Sequence, residues 1–161
     1  MPFQIIYSDI VLMETDAVVN AANTSLRPGS GVCGAIYRAA GYEEMSSACR
    51  AIGRCETGSA VITPGFSLKA PWVIHTVGPI WQGGGNGEAE LLRSSYWSSL
   101  ELAVEKGLRS LAFPLISAGV FGYPRREALA VAECAIRDFL MLHDLDVYLV
   151  LLKRDEVGVP G

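Results

Sequence analysis

Two asparagines and three glycines near the N-terminus are the residues best placed to do chemistry. They are Asn20, Asn23, Gly29, Gly31 and Gly34, and the residues that follow them are good helix formers. Glycine lets a backbone approach a ligand closely, and a helix start offers unpaired N–H groups and the positive end of a dipole. The pattern therefore predicts a loop that binds phosphate.

The same three glycines spell G-x-G-x-x-G, the fingerprint of dinucleotide-binding loops. That fingerprint places its first glycine in the tight turn directly after a strand. Here residues 21–28 separate the predicted strand from Gly29, and Pro28 disfavours a helical or tight entry. The spacing argues against a Rossmann site, although backbone amides would attract phosphate in another loop geometry too.

A second glycine loop follows a later strand. Residues 111–113 are typical of a buried strand, and residues 114–124 contain Gly119 and Gly122 ahead of a predicted helix. Neither loop contains an acidic residue. Two such loops could bind both phosphates of a diphosphate. The alternative is that both are ordinary turns between a strand and a helix.

With further segments, these loops resemble the macrodomains, a family of ADP-ribose-binding modules, and within it the MacroD-type branch. The resemblance covers almost the whole chain. The matching segments are residues 9–10, 20–23, 29–36, 38–41, 57–58, 60–65, 73–79 and 113–122. The resemblance implies ADP-ribose as the ligand and a three-layer α/β/α sandwich with a mixed central sheet as the fold.

Hydrophobic patterning along the chain agrees with that fold. The predicted strands are residues 3–7, 17–20, 60–63, 72–77, 110–113 and 147–152. The predicted helices are residues 33–40, 43–50, 90–106 and 125–143. Strands mixed with helices on both faces give an α/β/α sandwich. Residues 82–87, with four glycines, predict an exposed, flexible loop without a role in chemistry.

Length and composition indicate a single domain over residues 1–161, half of them hydrophobic. The net charge of −4 and the absence of basic clusters argue against a nucleic-acid partner. No stretch could span a bilayer and no signal peptide begins the chain, so we expect a cytoplasmic protein without a membrane partner. Residues 154–161 lack the closing helix common in macrodomains, which leaves a C-terminal truncation open.

The four cysteines predict neither a metal site nor a disulfide framework. No two of them form C-x-x-C, and the chain has only two histidines. We expect no metal and no cofactor. Cys49, Cys55 and Cys134 are expected to be small buried residues.

The resemblance implies which residues read the adenine. Asp9 would accept a hydrogen bond from the adenine amino group, the N–H of Ile10 would also contact the base, and Leu152 would pack on it. On the residues alone, Asp9 could equally be a turn or cap aspartate.

The resemblance also places the diphosphate and the distal ribose between the glycine loops. The matching positions for the phosphates are Gly31, Val32, Ser117, Ala118, Gly119, Val120 and Phe121. Phe121 would also flank the distal ribose, although a plain core aromatic is the alternative. Asn23 matches an asparagine that contacts this ribose, whereas Asn20 is expected to hold the loop through side-chain to backbone bonds.

Cys33 is the departure from the family pattern that bears most on catalysis. Active MacroD-type enzymes carry an aspartate at this binding position, thought to orient or activate the attacking water, and a histidine where Tyr37 stands. A thiol with an ordinary pKa of ~8.5 is mostly protonated near neutral pH. A helix start could lower the pKa of Cys33, and bound phosphate would raise it.

Three functions remain open at this point. The first is a hydrolase acting on mono-ADP-ribosylated protein or O-acetyl-ADP-ribose. Asn23 and the substrate phosphate would carry the reaction, and Cys33 is a doubtful catalytic residue. The second is a reader that binds ADP-ribose or an ADP-ribosylated protein without turnover. The third is a poly(A) or RNA binder, which the low basic content disfavours.

Overall fold

One mixed six-stranded sheet forms the middle of the protein in a computed structural model that describes residues 2–152. The strands are β1 (Phe3–Tyr7), β2 (Ala17–Ala21), β3 (Ala60–Pro64), β4 (Trp72–Thr76), β5 (Ser110–Phe113) and β6 (Asp146–Leu151). Their spatial order is β1-β6-β5-β2-β4-β3, and only β3 runs antiparallel to its neighbour. The predicted mixed sheet is confirmed.

Two helices cover each face of this sheet. α1 (Gly31–Ala40) and α2 (Tyr42–Ile52) pack on one face, and α3 (Glu88–Glu105) and α4 (Arg125–Leu140) pack on the other. Successive residues of β2 point to opposite faces, so Val19 joins the core under α3 and α4 while Val18 joins the core under α1 and α2. The predicted three-layer α/β/α sandwich is confirmed.

Every predicted strand and helix is present, with ends that differ by at most three residues. The largest difference is at α4, which ends at Leu140 because the N–H groups of Leu142 and His143 both bond back to the carbonyl of Phe139 in a tight turn. A one-turn 3₁₀ helix, Ile10–Leu12, was not predicted.

The carboxyl ends of β2 and β5 form the functionally important edge. After β2 the chain runs through α1 and α2 toward β4, whereas after β5 it runs through α4 to β6 on the other side. Neighbouring parallel strands whose connections diverge in this way leave a crevice, which is the usual ligand position in open α/β sheets. The two predicted glycine loops follow these two strands.

The cysteine predictions are confirmed at two of three positions. Cys49 and Cys55 are buried, but Cys134 is exposed. Cys134 lies on the solvent side of α4, opposite Ala132 and Ile136, and its Sγ is 3.7 Å from the Asp138 carboxylate.

Among the helices of residues 2–152, none is long and apolar enough to cross a membrane. Residues 154–161, which suggested a truncation, lie outside the described residues.

Candidate functional site

A cavity of about 320 Å³ opens between the loops after β2 and β5. Its size falls in the range of small-molecule sites. Eight predicted site residues line it: Asn23, Gly31, Val32, Cys33, Ser117, Gly119, Val120 and Phe121. The other lining residues are Ala21, Ala22, Gly29, Ser30, Gly78, Pro114, Leu115 and Ile116. None of these sixteen residues has a charged side chain, so the cavity would not repel an anion.

Four predicted site residues do not line the cavity: Asp9, Ile10, Ala118 and Leu152. Asp9 and Leu152 follow β1 and β6 at the same carboxyl edge of the sheet, because these strands are parallel to β5. Asp9 is exposed, and its Oδ1 accepts a hydrogen bond from the N–H of Val11 at 3.1 Å. Asp9 therefore caps the 3₁₀ helix, and its predicted contact with adenine stays a prediction.

The first glycine loop presents the start of α1 to the cavity. Gly31 has φ +59°, a conformation that favours glycine, and a side chain at Gly34 would come within 2.6 Å of the Gly29 carbonyl oxygen. The first backbone bond of the helix runs from the Gly34 N–H to Ser30. In the described chain, the N–H groups of residues 31–33 have no hydrogen-bond partner and could bind an anion.

The second glycine loop holds a strained conformation. Ser117 has φ +67°, which costs a residue with a side chain on the order of 1 kcal/mol or more. Its Oγ donates to the Pro79 carbonyl at 2.8 Å, and its own carbonyl accepts from the Tyr123 N–H at 2.9 Å. No partner within residues 2–152 takes the N–H groups of residues 119–121. The loop thus offers a second set of free amides to the cavity.

Gly78 is a lining residue that sequence reasoning missed. A side chain there would collide with the Ser117 Oγ and lie 2.6 Å from Ile116, so the second loop can pack against the segment after β4 only at a glycine. The available signal was its place, two residues after the strand β4.

Asn23, and not Asn20, makes the side-chain to backbone bonds that hold the first loop. Its Oδ1 accepts from the Arg27 N–H at 3.0 Å, and its Nδ2 donates to the Arg27 carbonyl at 2.9 Å. The prediction for Asn20 was wrong because Asn20 stands opposite His75 in the pairing of β2 with β4. Their side chains therefore share one buried face of the sheet.

Asn20, His75 and Thr63 form a buried polar chain behind the cavity. The Nδ2 of Asn20 lies 3.0 Å from His75 Nδ1, and His75 Nε2 lies 2.9 Å from Thr63 Oγ1. Burial lowers the pKa of His75 to about 4, so the ring is neutral at pH 7. The same Asn20 amide lies 3.6 Å from the Sγ of Cys33, which links this chain to the cavity lining.

Cys33 is a buried thiol at the floor of the cavity. Burial raises the pKa of its thiol above the usual value, and hydrogen bonds from Asn20 and the Gly29 backbone offset this only in part. Tyr37 is also buried, and its hydroxyl donates to the Leu26 carbonyl at 3.0 Å. Burial likewise raises the pKa of Tyr37. Neither side chain is a ready acid or base near neutral pH.

The family profile described as Macro domain matches residues 19–132. A macro domain-containing protein of Chlorobaculum tepidum is 55% identical over 135 residues, which cover 84% of this chain and 78% of that protein. This chain belongs to the macrodomain family.

Further relatives of this macrodomain carry more specific names. A Salmonella gallinarum protein named O-acetyl-ADP-ribose deacetylase is 50% identical over 157 residues, or 95% of this chain and 87% of that protein. A variant of the Oceanobacillus iheyensis macrodomain, solved with ADPR, has a TM-score of 0.90 and 42% identity, and the match covers 95% of this chain and 87% of the solved one. The fold described above is therefore that of macrodomains.

The buried His75 makes the stability of this macrodomain depend on pH. In the folded protein the pKa of the His75 ring is about 4, whereas in the unfolded chain the ring has its ordinary pKa of 6.5. The contribution of the neutral His75 ring to the free energy of unfolding is complete above pH 6.5 and falls as the pH drops toward 4. Between pH 7 and pH 5, urea denaturation should show a loss of about 2 kcal/mol in the free energy of unfolding.

Variants at the two histidines test this assignment. His75→Gln should flatten the pH dependence in this window, whereas His143→Gln should not, because His143 is exposed. An equally steep dependence in the His75→Gln variant would show that another group is responsible.

Proposed function

We propose that this macrodomain binds ADP-ribose in the cavity between the loops after β2 and β5. The observation that carries the proposal is the uncharged lining, with two sets of free N–H groups at residues 31–33 and 119–121. Such amides bind phosphate without a basic side chain, so the net charge of −4 is no obstacle. The relative solved with ADPR supports the same ligand.

Asp9, Ile10 and Leu152 lie outside the cavity but at the same sheet edge, where the adenine end of a long ligand would reach. Ser117 and Phe121 then border the diphosphate and the distal ribose, together with Asn23 and Cys33. In this arrangement the conjugated end of the ligand lies over the start of α1.

In the first candidate function, this macrodomain also hydrolyses ADP-ribose conjugates. These conjugates are mono-ADP-ribosylated protein or O-acetyl-ADP-ribose. The deacetylase name of the Salmonella relative supports this activity. The amide of Asn23 keeps one N–H that could orient a water or the ribose, since its other groups bind Arg27 and Ser25. The base would be the substrate phosphate, because the lining holds no carboxylate and the Cys33 thiol is neutral.

A reader without turnover is the second candidate, and the state of Cys33 favours it. A positioned general base typically contributes ~10²–10⁴-fold to a rate. A buried thiol with a raised pKa supplies little of that effect. The two candidates share the binding mode and differ only in the chemical step.

Calorimetry and a turnover assay test the proposal together. ADP-ribose should bind with micromolar affinity, about −7 to −9 kcal/mol, and AMP far more weakly because it lacks the second phosphate and the distal ribose. Equal affinities would contradict the diphosphate site. Release of ADP-ribose from a mono-ADP-ribosylated protein then decides between hydrolase and reader.

Asp9→Ala tests the adenine contact. The loss of a hydrogen bond to a charged acceptor should weaken ADP-ribose binding by about 1.5–3 kcal/mol in calorimetry. The fold should persist, because Asp9 is exposed and contributes little to the core.

Asp9→Asn separates the cap from the ligand contact. Its amide oxygen can still accept from the Val11 N–H, but its amino group cannot accept from adenine. We therefore expect Asp9→Asn to bind as weakly as Asp9→Ala. Wild-type affinity in Asp9→Asn would leave Asp9 with the cap role alone.

A further inference from the structure

Glu88 is a buried carboxylate outside the cavity. It is the first residue of α3, and only 2% of its surface is exposed. Its Oε2 accepts from the N–H groups of Gln82 at 2.8 Å and Gly84 at 3.0 Å, and its Oε1 accepts from Asn86 at 2.7 Å. The predicted flexible loop is therefore wrapped around one charged side chain.

The segment that Glu88 holds, residues 79–87, is named here the buttress segment because it supports the second glycine loop. The Trp81 N–H donates to the Phe121 carbonyl at 2.8 Å. The Pro79 carbonyl accepts from the Ser117 Oγ at 2.8 Å. The Trp81 ring packs against the buried Tyr123 ring with centroids 4.7 Å apart. These three contacts fix both ends of the second glycine loop.

Glu88 also positions the Trp81 ring indirectly. Gly84 has φ +91°, and a side chain there would lie 2.9 Å from the edge of the indole. The backbone of Gly84 therefore packs directly against this ring. Because the Gly84 N–H donates to Glu88, the carboxylate fixes the backbone segment that packs against the Trp81 ring.

The second glycine loop needs such support because it has little structure of its own. Within the loop the backbone bonds run from the N–H groups of Ala118, Gly122 and Tyr123 to the carbonyls of Leu115, Gly119 and Ser117. Ser117 keeps a strained φ, and the amides of residues 119–121 are unpaired without a ligand. Strain of this kind persists only where the surroundings impose it.

We propose that Glu88 is a positioning residue for phosphate binding, which holds the buttress segment so that the amides of residues 119–121 stay aimed at the cavity. The ligand in this inference rests on the proposed function, whereas the order of the loop does not. Preorganised donors bind more tightly because the ligand does not have to order them.

The charge of Glu88 matters for this role. Hydrogen bonds, first from Gln82 and then from Asn86 and Gly84, lower the pKa of Glu88 to about 2, so the carboxylate is ionised near neutral pH. In Glu88→Gln only one acceptor oxygen remains, and the new amino group faces an N–H that needs an acceptor. The variant keeps the size of the side chain and breaks the cluster.

Calorimetry on Glu88→Gln, with Glu90→Gln as the matched control, tests the affinity. Glu90 is in the same first turn of α3 but is exposed, so its variant changes the charge equally and leaves the buttress segment intact. Glu88→Gln should weaken ADP-ribose binding about tenfold or more, equal to about 1.4 kcal/mol, and Glu90→Gln should bind as the wild type does.

Hydrogen exchange of the ligand-free proteins tests the order of the loop directly. The amides of Gly122 and Tyr123, which are hydrogen-bonded within the loop, should exchange about tenfold faster in Glu88→Gln, with α4 and β6 unchanged. If the wild type does not bind ADP-ribose, the proposed function fails, and this measurement alone judges the role of Glu88.

A lower melting temperature of Glu88→Gln with unchanged affinity and unchanged loop exchange would overturn the proposal. If Glu88→Gln does not fold, Trp81→Leu replaces it, because it removes the ring contact without changing a charge. Faster exchange of the Gly122 and Tyr123 amides in Trp81→Leu supports the proposal, and wild-type exchange overturns it.

Discussion

Gly119→Glu should abolish ADP-ribose binding and leave the protein folded. A side chain at Gly119 meets no atom within 4 Å, and its φ is not one that requires glycine, so the fold can accept the change. Gly119 lines the cavity, and the new carboxylate would stand beside the diphosphate. Charge repulsion and lost space together should cost at least about 100-fold in calorimetry.

Two variants at the same position separate these causes. Gly119→Gln adds the same volume without the charge and should lose less affinity than Gly119→Glu. Gly119→Ala adds one methyl group and should lose least. Wild-type affinity in a folded Gly119→Glu would mean that this loop is only a turn and that the phosphates lie elsewhere.

Cys33→Asp should raise the hydrolysis of mono-ADP-ribosylated protein by at least about tenfold, or about 1.4 kcal/mol of barrier. The substitution puts a carboxylate beside Asn20 at the start of α1, where the helix dipole favours an ionised group. A carboxylate could orient or deprotonate water, which a neutral thiol cannot do. Measuring released ADP-ribose under single-turnover conditions checks this expectation.

Cys33→Asn and Cys33→Ala are the controls for this gain. Cys33→Asn has the shape of aspartate without its basicity and should show no gain. Cys33→Ala should keep both ADP-ribose binding and the basal rate. Loss of activity in Cys33→Ala, with a wild-type rate that rises with pH, would instead make the thiolate the working group. If Cys33→Ala is active and Cys33→Asp shows no gain, catalysis must rest on Asn23, the substrate phosphate and bound water alone.

The elements and both glycine loops could be predicted because their signals are local. The buried strand β2 is a short apolar run, and α3 repeats its apolar residues with helical spacing, so that Leu92, Tyr96 and Leu100 share its fully buried face. Gly31 and Gly34 stand where the backbone needs glycine. These properties depend on a few neighbouring residues, whereas the eight predicted residues that meet in the cavity were assigned from the resemblance to macrodomains.

The partners of buried polar side chains could not be predicted, because they depend on which strands pair and in what register. Asn20 was expected to bind backbone, and the pairing of β2 with β4 places it on His75 instead. Gly78 became a lining residue only because the loop after β5 packs against the segment that follows β4.

Glu88 shows the same limit for a charged residue. By sequence it is an ordinary acidic residue near a helix start, beside a glycine-rich loop that suggested flexibility. The fold closes that loop over the carboxylate, and three backbone N–H groups satisfy the buried charge. The sequence by itself determined the strands, the helices and the two glycine loops. Only the tertiary structure decided which polar groups they bury and hold, because those contacts join residues far apart in the chain.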